Sequence, residues 1–214
     1  MASASLGIST ISVYRRLRVA VLSTGSELLS YKASRDESGH IRDSNGPYLR
    51  AALRQLGFDA TTLGIVEDDH REFEEIIRKA LATGRHYAFI TTGAVSVGKL
   101  DFVEEGLLNL DATIRFHRVA VRPKYPVLFA LVPSDERKLG SEQHVPFLCL
   151  PGNPMATVVC FHFLTISYLR FLHDQREEAP IHAQLNSTDP ASPSTSIIFR
   201  KTDHLRVFWH GTLN

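Results

Sequence analysis

Cysteine is almost absent from this chain: two residues in 214, Cys149 and Cys160, both in apolar stretches. Two such thiols exclude a disulfide framework and a cysteine-rich zinc site, and read as small buried hydrophobes suited to a reducing, cytoplasmic setting. Charge of one sign is also lacking, since 24 basic residues nearly cancel 23 acidic ones. A dominant attraction to nucleic acid or to an anionic membrane is therefore not expected, and any anion site must be local. No uninterrupted apolar run approaches the ~18 residues that span a bilayer, and the first ten residues lack the basic segment and apolar block of a secretory signal. Several catalytic signatures are missing as well. There is no Gly-Lys-[Ser/Thr] phosphate loop, no Gly-x-Gly-x-x-Gly after a strand, no His-Glu-x-x-His and no Gly-x-Ser-x-Gly.

What is present is an ordinary globular balance, 43% hydrophobic and 22% charged, with a clear alternation of elements. Arg18 to Thr24 is a β-branched run ending at Gly25, as expected of a buried strand. Leu49, Leu53 and Leu56 recur at helical spacing before Gly57, predicting a helix over Pro47 to Leu56. Ala60 to Val66 reads as a second strand. Phe73, Ile76, Ile77, Ala80 and Leu81 predict an amphipathic helix that Asp69 can cap and Gly84 closes, and Tyr87 to Thr92 is a third strand. Asp101 to Leu110 returns to helical spacing, Val127 to Val132 and Phe147 to Leu150 read as strands, and Met155 to Leu172 as a long apolar helix. Strand and helix in alternation imply an α/β fold whose mostly parallel sheet is covered on both faces, with ligands gathered at the strand C-termini. The expected organisation is a connector over 1–17, the α/β domain over 18–174, and a linker with a partial β-domain over 175–214, where a Ser/Thr/Pro stretch precedes two short strand-like runs.

Three loops at strand ends carry the chemistry. Thr24-Gly25-Ser26-Glu27 follows the first strand, Thr92-Gly93-Ala94-Val95-Ser96-Val97-Gly98 the third, and Pro151-Gly152-Asn153-Pro154 leads into the long helix. The middle loop joins two glycines and a hydroxyl just before a helix, so its amides can approach a phosphate closely. Tight turning alone accounts for the same residues equally well. In the last loop, Asn153 as cap and Pro154 in the first turn have a sufficient structural explanation.

Glu27, Asp68, Asp69 and Asp101 lie where strand ends converge, a set of hard oxygen donors suited to magnesium, although each alone also fits a helix cap or a solvated surface. Arg118 and Arg122 stand an even number apart, so in an extended chain both face the same way and can clamp an oxyanion. A charged strand edge satisfies that spacing too. His117 would face the opposite side, and most of the remaining histidines read as surface residues.

Taken in order, Ser23-Thr-Gly-Ser-Glu-Leu28, Arg42-Asp-Ser-Asn45, Leu63-Gly-Ile-Val-Glu-Asp-Asp69, Thr92-Gly-Ala-Val-Ser-Val-Gly-Lys-Leu-Asp-Phe102, Phe116-His-Arg-Val-Ala-Val-Arg-Pro123 and Leu150-Pro-Gly-Asn-Pro154 resemble the molybdopterin molybdenumtransferase family, to which the gephyrin E domain belongs. The resemblance implies a three-layer α/β domain that binds adenylylated molybdopterin, and a magnesium-dependent reaction in which molybdate enters the dithiolene and AMP is released. It implies Glu27, Asp68 and Asp101 as catalytic and metal-binding acids, and Arg118 and Arg122 as the positively charged catalytic residues. Thr24, Gly25, Gly93, Val95, Ser96, Gly98, Pro151, Gly152 and Asn153 are the implied substrate-binding positions. A homodimer and a molybdopterin adenylyltransferase partner are implied too, with no nucleic acid and no membrane.

The chain departs from the family pattern at Ala94, where a second glycine is usual, at Lys99, where an acid is common, at Ser26, where Asp is frequent, and across Arg122-Pro-Lys-Tyr-Pro126. Family members place further domains on either side of this region and complete the site across a dimer, so the chain by itself is expected to bind the pterin better than it turns it over. Two other functions share the resemblance. One is molybdopterin adenylyltransferase, disfavoured by Gly93-Ala-Val-Ser96 in place of a Gly-Gly-Thr-Gly loop; the other is a non-catalytic dimerising scaffold, against which the retained acids argue.

Overall fold

A computed structural model describes residues 5–10, 13, 15–34, 39–93, 102–119, 121–122, 126–134, 144–173 and 206–207. Its centre is a six-stranded sheet. Strand β1 (Arg18–Thr24) is followed by two short strands, β2 (Leu28–Leu29) and β3 (Ile41–Arg42), then helix α1 (Asn45–Gln55) and β4 (Asp59–Val66). Helix α2 (His70–Ala82), β5 (Ala88–Thr92) and α3 (Phe102–Leu108) come next. They are followed by β6 (Thr113–His117), β7 (Val121–Arg122), β8 (Leu128–Pro133) and β9 (His144–Leu150). The long C-terminal helix runs as α4 (Pro154–Cys160), one π-helical turn (Phe161–Thr165) and α5 (Ile166–Leu172). Elements expected from the sequence are present with ends moved by a few residues. Of the tail, only β10 (Arg206–Val207) falls among the described residues, paired in parallel with β7.

The sheet order is β4-β1-β5-β9-β8-β6. Its first four strands pair in parallel, and β8 runs antiparallel to both its neighbours. The chain therefore steps from β1 outward to β4 and then back across β1 to β5, which places a topological switch point between the C-terminal ends of β1 and β5, where ligands gather in open α/β sheets.

Alternation along β1 sorts its residues to two cores. Ala20 and Leu22 face Phe73, Ile77, Phe102, Val103 and Leu107 of α2 and α3. Val19 and Val21 face Leu49 and Leu53 of α1 and Phe161, Ile166 and Leu169 of the long helix. The result is three layers with the sheet in the middle, each face burying the apolar stripes of two helices. On the first face Phe89 and Phe147 stack with ring centroids 4.5 Å apart and planes within 3°. Both cysteines are free and buried, as expected, and burial pushes the Cys160 thiol up to about 11.

The helix Pro154–Leu172 is 19 residues long with a mean hydropathy of 1.5, long and apolar enough by composition to cross a membrane. Its apolar character has a use within the fold, because Ala156, Val159, Cys160, Phe161, Ile166 and Leu169 are all buried.

Replacing Phe147 by Ala removes one ring of the buried stack and is expected to cost about 3–5 kcal/mol of stability, read as a lower midpoint in urea with an unchanged slope. A second expectation concerns His86, partly buried and edge-on to Phe89 at 5.6 Å. Burial holds its pKa below the ordinary histidine value. The neutral ring is thus favoured in the folded state. Its contribution is complete above the unfolded value of about 6.5 and is lost as pH falls through the folded one. The drop in Tm between neutral pH and pH 5 should accordingly be smaller in His86→Gln than in the unaltered chain.

Candidate functional site

Four strand ends are laced into one row by short polar contacts. The Gly25 amide donates to Val66 O at 3.0 Å, and the Gly93 amide donates to Leu150 O at 3.2 Å. The Thr24 hydroxyl donates to Thr92 O at 3.0 Å. Thr24 and Thr92 are both 1% exposed. The loops after β1, β5 and β9, assigned to the ligand from their sequences, are therefore neighbours in space.

Their backbones approach so closely that side chains are excluded. Gly93 has φ +97°, and a Cβ there would lie 2.1 Å from the Thr24 carbonyl oxygen. A Cβ on Gly152 would meet the Gly93 Cα at 3.2 Å. What results is a closely packed row of main chain at the switch point, in which Gly25 and Gly93 are buried with their amides bonded within the protein, and Gly152 and Asn153 stand exposed at its edge. Within it the Thr92 hydroxyl is buried with no hydrogen-bond partner among the described residues. The hydroxyls of Thr91 and Thr165 are in the same state. At the start of the long helix, Asn153 Oδ1 accepts from the Ala156 amide at 3.2 Å with Pro154 in the first turn, the capping role its sequence allowed.

The acids divide by role. Asp69 caps α2, accepting from the amides of Arg71 at 2.7 Å and Glu72 at 3.4 Å, and these bonds hold its carboxyl below the usual range. Its neighbour Asp68 is exposed and free of that duty, and its amide donates to Ser26 Oγ at 3.1 Å. That bond brings the Asp68 loop against the Ser26–Glu27 turn. Glu27 is exposed, with its carboxylate folded over Gly25, where a Cβ would sit 2.6 Å from Oε2. Glu27 and Asp68 thus stand on adjoining loops at the lip of the row. Asp101, Val95, Ser96 and Gly98 lie outside the described residues, as do Ala94 and Lys99. Among the described residues no group of three His, Cys, Asp or Glu side chains is placed to hold a metal ion.

Arg118 and Arg122 do not lie on one continuous strand, contrary to their even spacing. Arg118 has φ +80°, and its amide donates to Val127 O at 2.8 Å, so β6 stops at His117 and the chain turns. Even spacing puts side chains on one side only along a continuous strand. Arg118 is exposed at this turn; Arg122 lies in β7 beyond it, its side chain outside the described residues. His117 Nδ1 lies 3.2 Å from Glu104 Oε2 on α3.

Two site residues were not singled out from the sequence. Asp43 and Asn45, at the start of α1, are 6% and 9% exposed. Ser23 Oγ donates to Asp43 Oδ2 at 2.8 Å, and Asn45 Nδ2 donates to Gly152 O at 2.8 Å. The available signal was an Asp and an Asn flanking a helix start, which capping alone explains.

A family described as a "probable molybdopterin binding domain" matches the chain over residues 20–170. A molybdopterin molybdenumtransferase of Synechococcus elongatus is 31% identical over 213 residues, all of this chain and 48% of the relative. One from Nostoc is 38% identical over 151 residues, 71% of this chain and 32% of the relative, and one from Haemophilus influenzae 34% over 176, 81% and 40%. The chain spans half or less of the length of these relatives. Among solved structures, a molybdopterin biosynthesis MoeA protein from Pyrococcus horikoshii superimposes with a TM-score of 0.68 at 24% identity, over 82% of this chain and 40% of that one. A tungsten cofactor synthesizing MoaB protein from Pyrococcus furiosus gives 0.51 at 17% identity, over 77% of this chain and 100% of that one. At these identities the likeness is one of fold.

Gly93→Ala should lower Tm sharply, because the new methyl meets a backbone oxygen and a positive φ at once, where neither a rotamer change nor a flexible neighbour relieves it. Gly57→Ala, also at positive φ but with open space around its Cβ, serves as the comparison; equal losses of Tm would remove the close approach as the cause.

Proposed function

The chain belongs to the molybdopterin-binding domain family, and from that premise we propose that it binds adenylylated molybdopterin, forming the α/β core of a molybdopterin molybdenumtransferase. The observation that supports this most is the meeting of Thr24–Gly25, Gly93 and the Pro151–Asn153 turn at the switch point. Close packing of main chain there, with the exposed Ser26–Glu27 turn and Gly152–Asn153 at its edge, offers a phosphorylated ligand a place at the strand C-termini.

A divalent metal fits the donor chemistry at the lip of this row. Glu27 and Asp68 are exposed carboxylates on loops joined by the Asp68 amide and Ser26 Oγ. Magnesium takes one or two carboxylates together with substrate phosphates and water. In this reading Glu27 and Asp68, with Asp101, hold the ion. When bound, magnesium neutralises charge at the phosphoanhydride of the adenylylated pterin. Arg118 and Arg122 supply positive charge for molybdate, which enters as a substrate, and the dithiolene sulfurs belong to the pterin, so the buried Cys149 and Cys160 take no part. Thr92 offers its hydroxyl to the ligand, and Val95, Ser96 and Gly98 complete the phosphate loop. Enclosure and molybdate insertion are assigned to the complete protein, since positioning and exclusion of water contribute as much as roughly 7–11 kcal/mol to such reactions.

Calorimetric titration of the chain with adenylylated molybdopterin, with and without magnesium, tests the reading. Saturable binding is expected, about tenfold or more tighter with magnesium, a difference of ~1.4 kcal/mol. The double variant Glu27→Gln, Asp68→Asn should retain its far-UV spectrum and Tm and lose the magnesium effect. Absence of binding would remove the pterin from this site, and an undiminished magnesium effect in the double variant would remove these two acids from the metal.

A further inference from the structure

We propose that Asn45, held in place by the Asp43–Ser23 pair, is a positioning residue that sets the Pro151–Pro154 turn at its working height above the loops after β1 and β5. The proposal rests on the ligand site assigned above and gives a role to the Arg42-Asp-Ser-Asn45 segment.

The bonds form a chain in space. Ser44 occupies the cap position of α1 with no side-chain cap bond. The duty falls to the preceding residue: Asp43 Oδ1 accepts from the Gly46 amide at 3.0 Å. Its other oxygen accepts from Ser23 Oγ at 2.8 Å, next to the end of β1. Asp43 is 6% exposed and Ser23 wholly buried. Both carboxylate oxygens have partners inside the protein, so the first turn of α1 is tied to the end of β1, and the base of Asn45 is fixed with it.

From that base Asn45 reaches across 107 residues of sequence to donate its Nδ2–H to Gly152 O at 2.8 Å. A residue serving only its own helix would spend its side chain on the amides of that helix. Asn45 instead spends its donor on a loop that leaves another strand. The loop it grips is the one whose Gly152 passes over Gly93 with no room for a side chain. The Thr157 hydroxyl braces the turn against its own helix, donating to the Pro151 and Asn153 carbonyls, and the Asn45 bond ties it to α1 and the end of β1. Nothing places Asn45 on reacting atoms; it acts through Gly152.

The test uses Asn45→Asp, which keeps size and shape, removes the donor and sets a carboxylate against the Gly152 carbonyl. Affinity for adenylylated molybdopterin is expected to fall about tenfold or more. Exchange of the Gly93 amide, which donates to Leu150 O, should accelerate while the Val21 amide in the core of β1 keeps its protection. Leu53→Ala, on the buried face of the same helix, should lower Tm and leave affinity unchanged at a temperature where both variants are folded. Adding Ser23→Ala to Asn45→Asp should cause no further loss of affinity, because both changes break one chain of bonds. Unchanged Gly93 exchange in Asn45→Asp, or a loss of affinity in Leu53→Ala that matches its loss of Tm in the same proportion, overturns the proposal. If the unaltered chain fails to bind the pterin, the ligand assignment falls, and the exchange of Gly93 still decides the positioning role by itself.

Discussion

The site depends on one steric constraint: three loops must pass within main-chain contact of each other at the ends of β1, β5 and β9. Gly93 is the point of closest approach, with the Thr24 carbonyl on one side and Gly152 on the other. No other residue type satisfies both the positive φ and the missing Cβ. Because the strands pair in parallel, their C-terminal ends already lie side by side. The glycines convert that adjacency into contact, and contact leaves no room for a side chain at Gly93.

The two cores hold this row still. Phe89 and Phe147 stack on the face of α2 and α3, and on the other face the long helix presses Phe161 and Leu169 inward. Both aromatic strand residues stand on β5 and β9, the strands that deliver Gly93 and the Pro151 turn. Packing and site geometry are thus coupled through the same two strands. The hydropathy of the long helix follows from this duty, since a helix covering a parallel sheet needs a broad apolar stripe.

Acidic residues that look alike in sequence take different work. Asp69 is spent on the amides of α2, Asp43 is locked between Ser23 and Gly46, and Glu27 and Asp68 remain exposed at the lip. A carboxylate whose oxygens already accept bonds from the protein has little left for a metal or a ligand. On that ground Glu27 and Asp68 are the ones to associate with charge chemistry, and Asp43 together with Asp69, whose Oδ1 takes both helix amides, with holding the scaffold.

Much of this was legible in the chain itself. The period of apolar residues identified the strands of the sheet centre and the helices, and punctuation by Gly25, Gly93 and Gly152 marked the loops, because hydrophobic period and turn chemistry are local properties. The alternation of elements carried the layered fold, and the order of six short motifs carried the family. Three things belonged to the tertiary structure alone. The turn at Arg118 comes from a positive φ met by a bond to Val127, and no even spacing of arginines reveals it. The pairing of His117 with Glu104 joins a strand to a helix. The link from Asn45 to Gly152 spans 107 residues. Each of these turns on where a side chain or a backbone dihedral points in three dimensions, and a periodicity along one dimension carries no such direction.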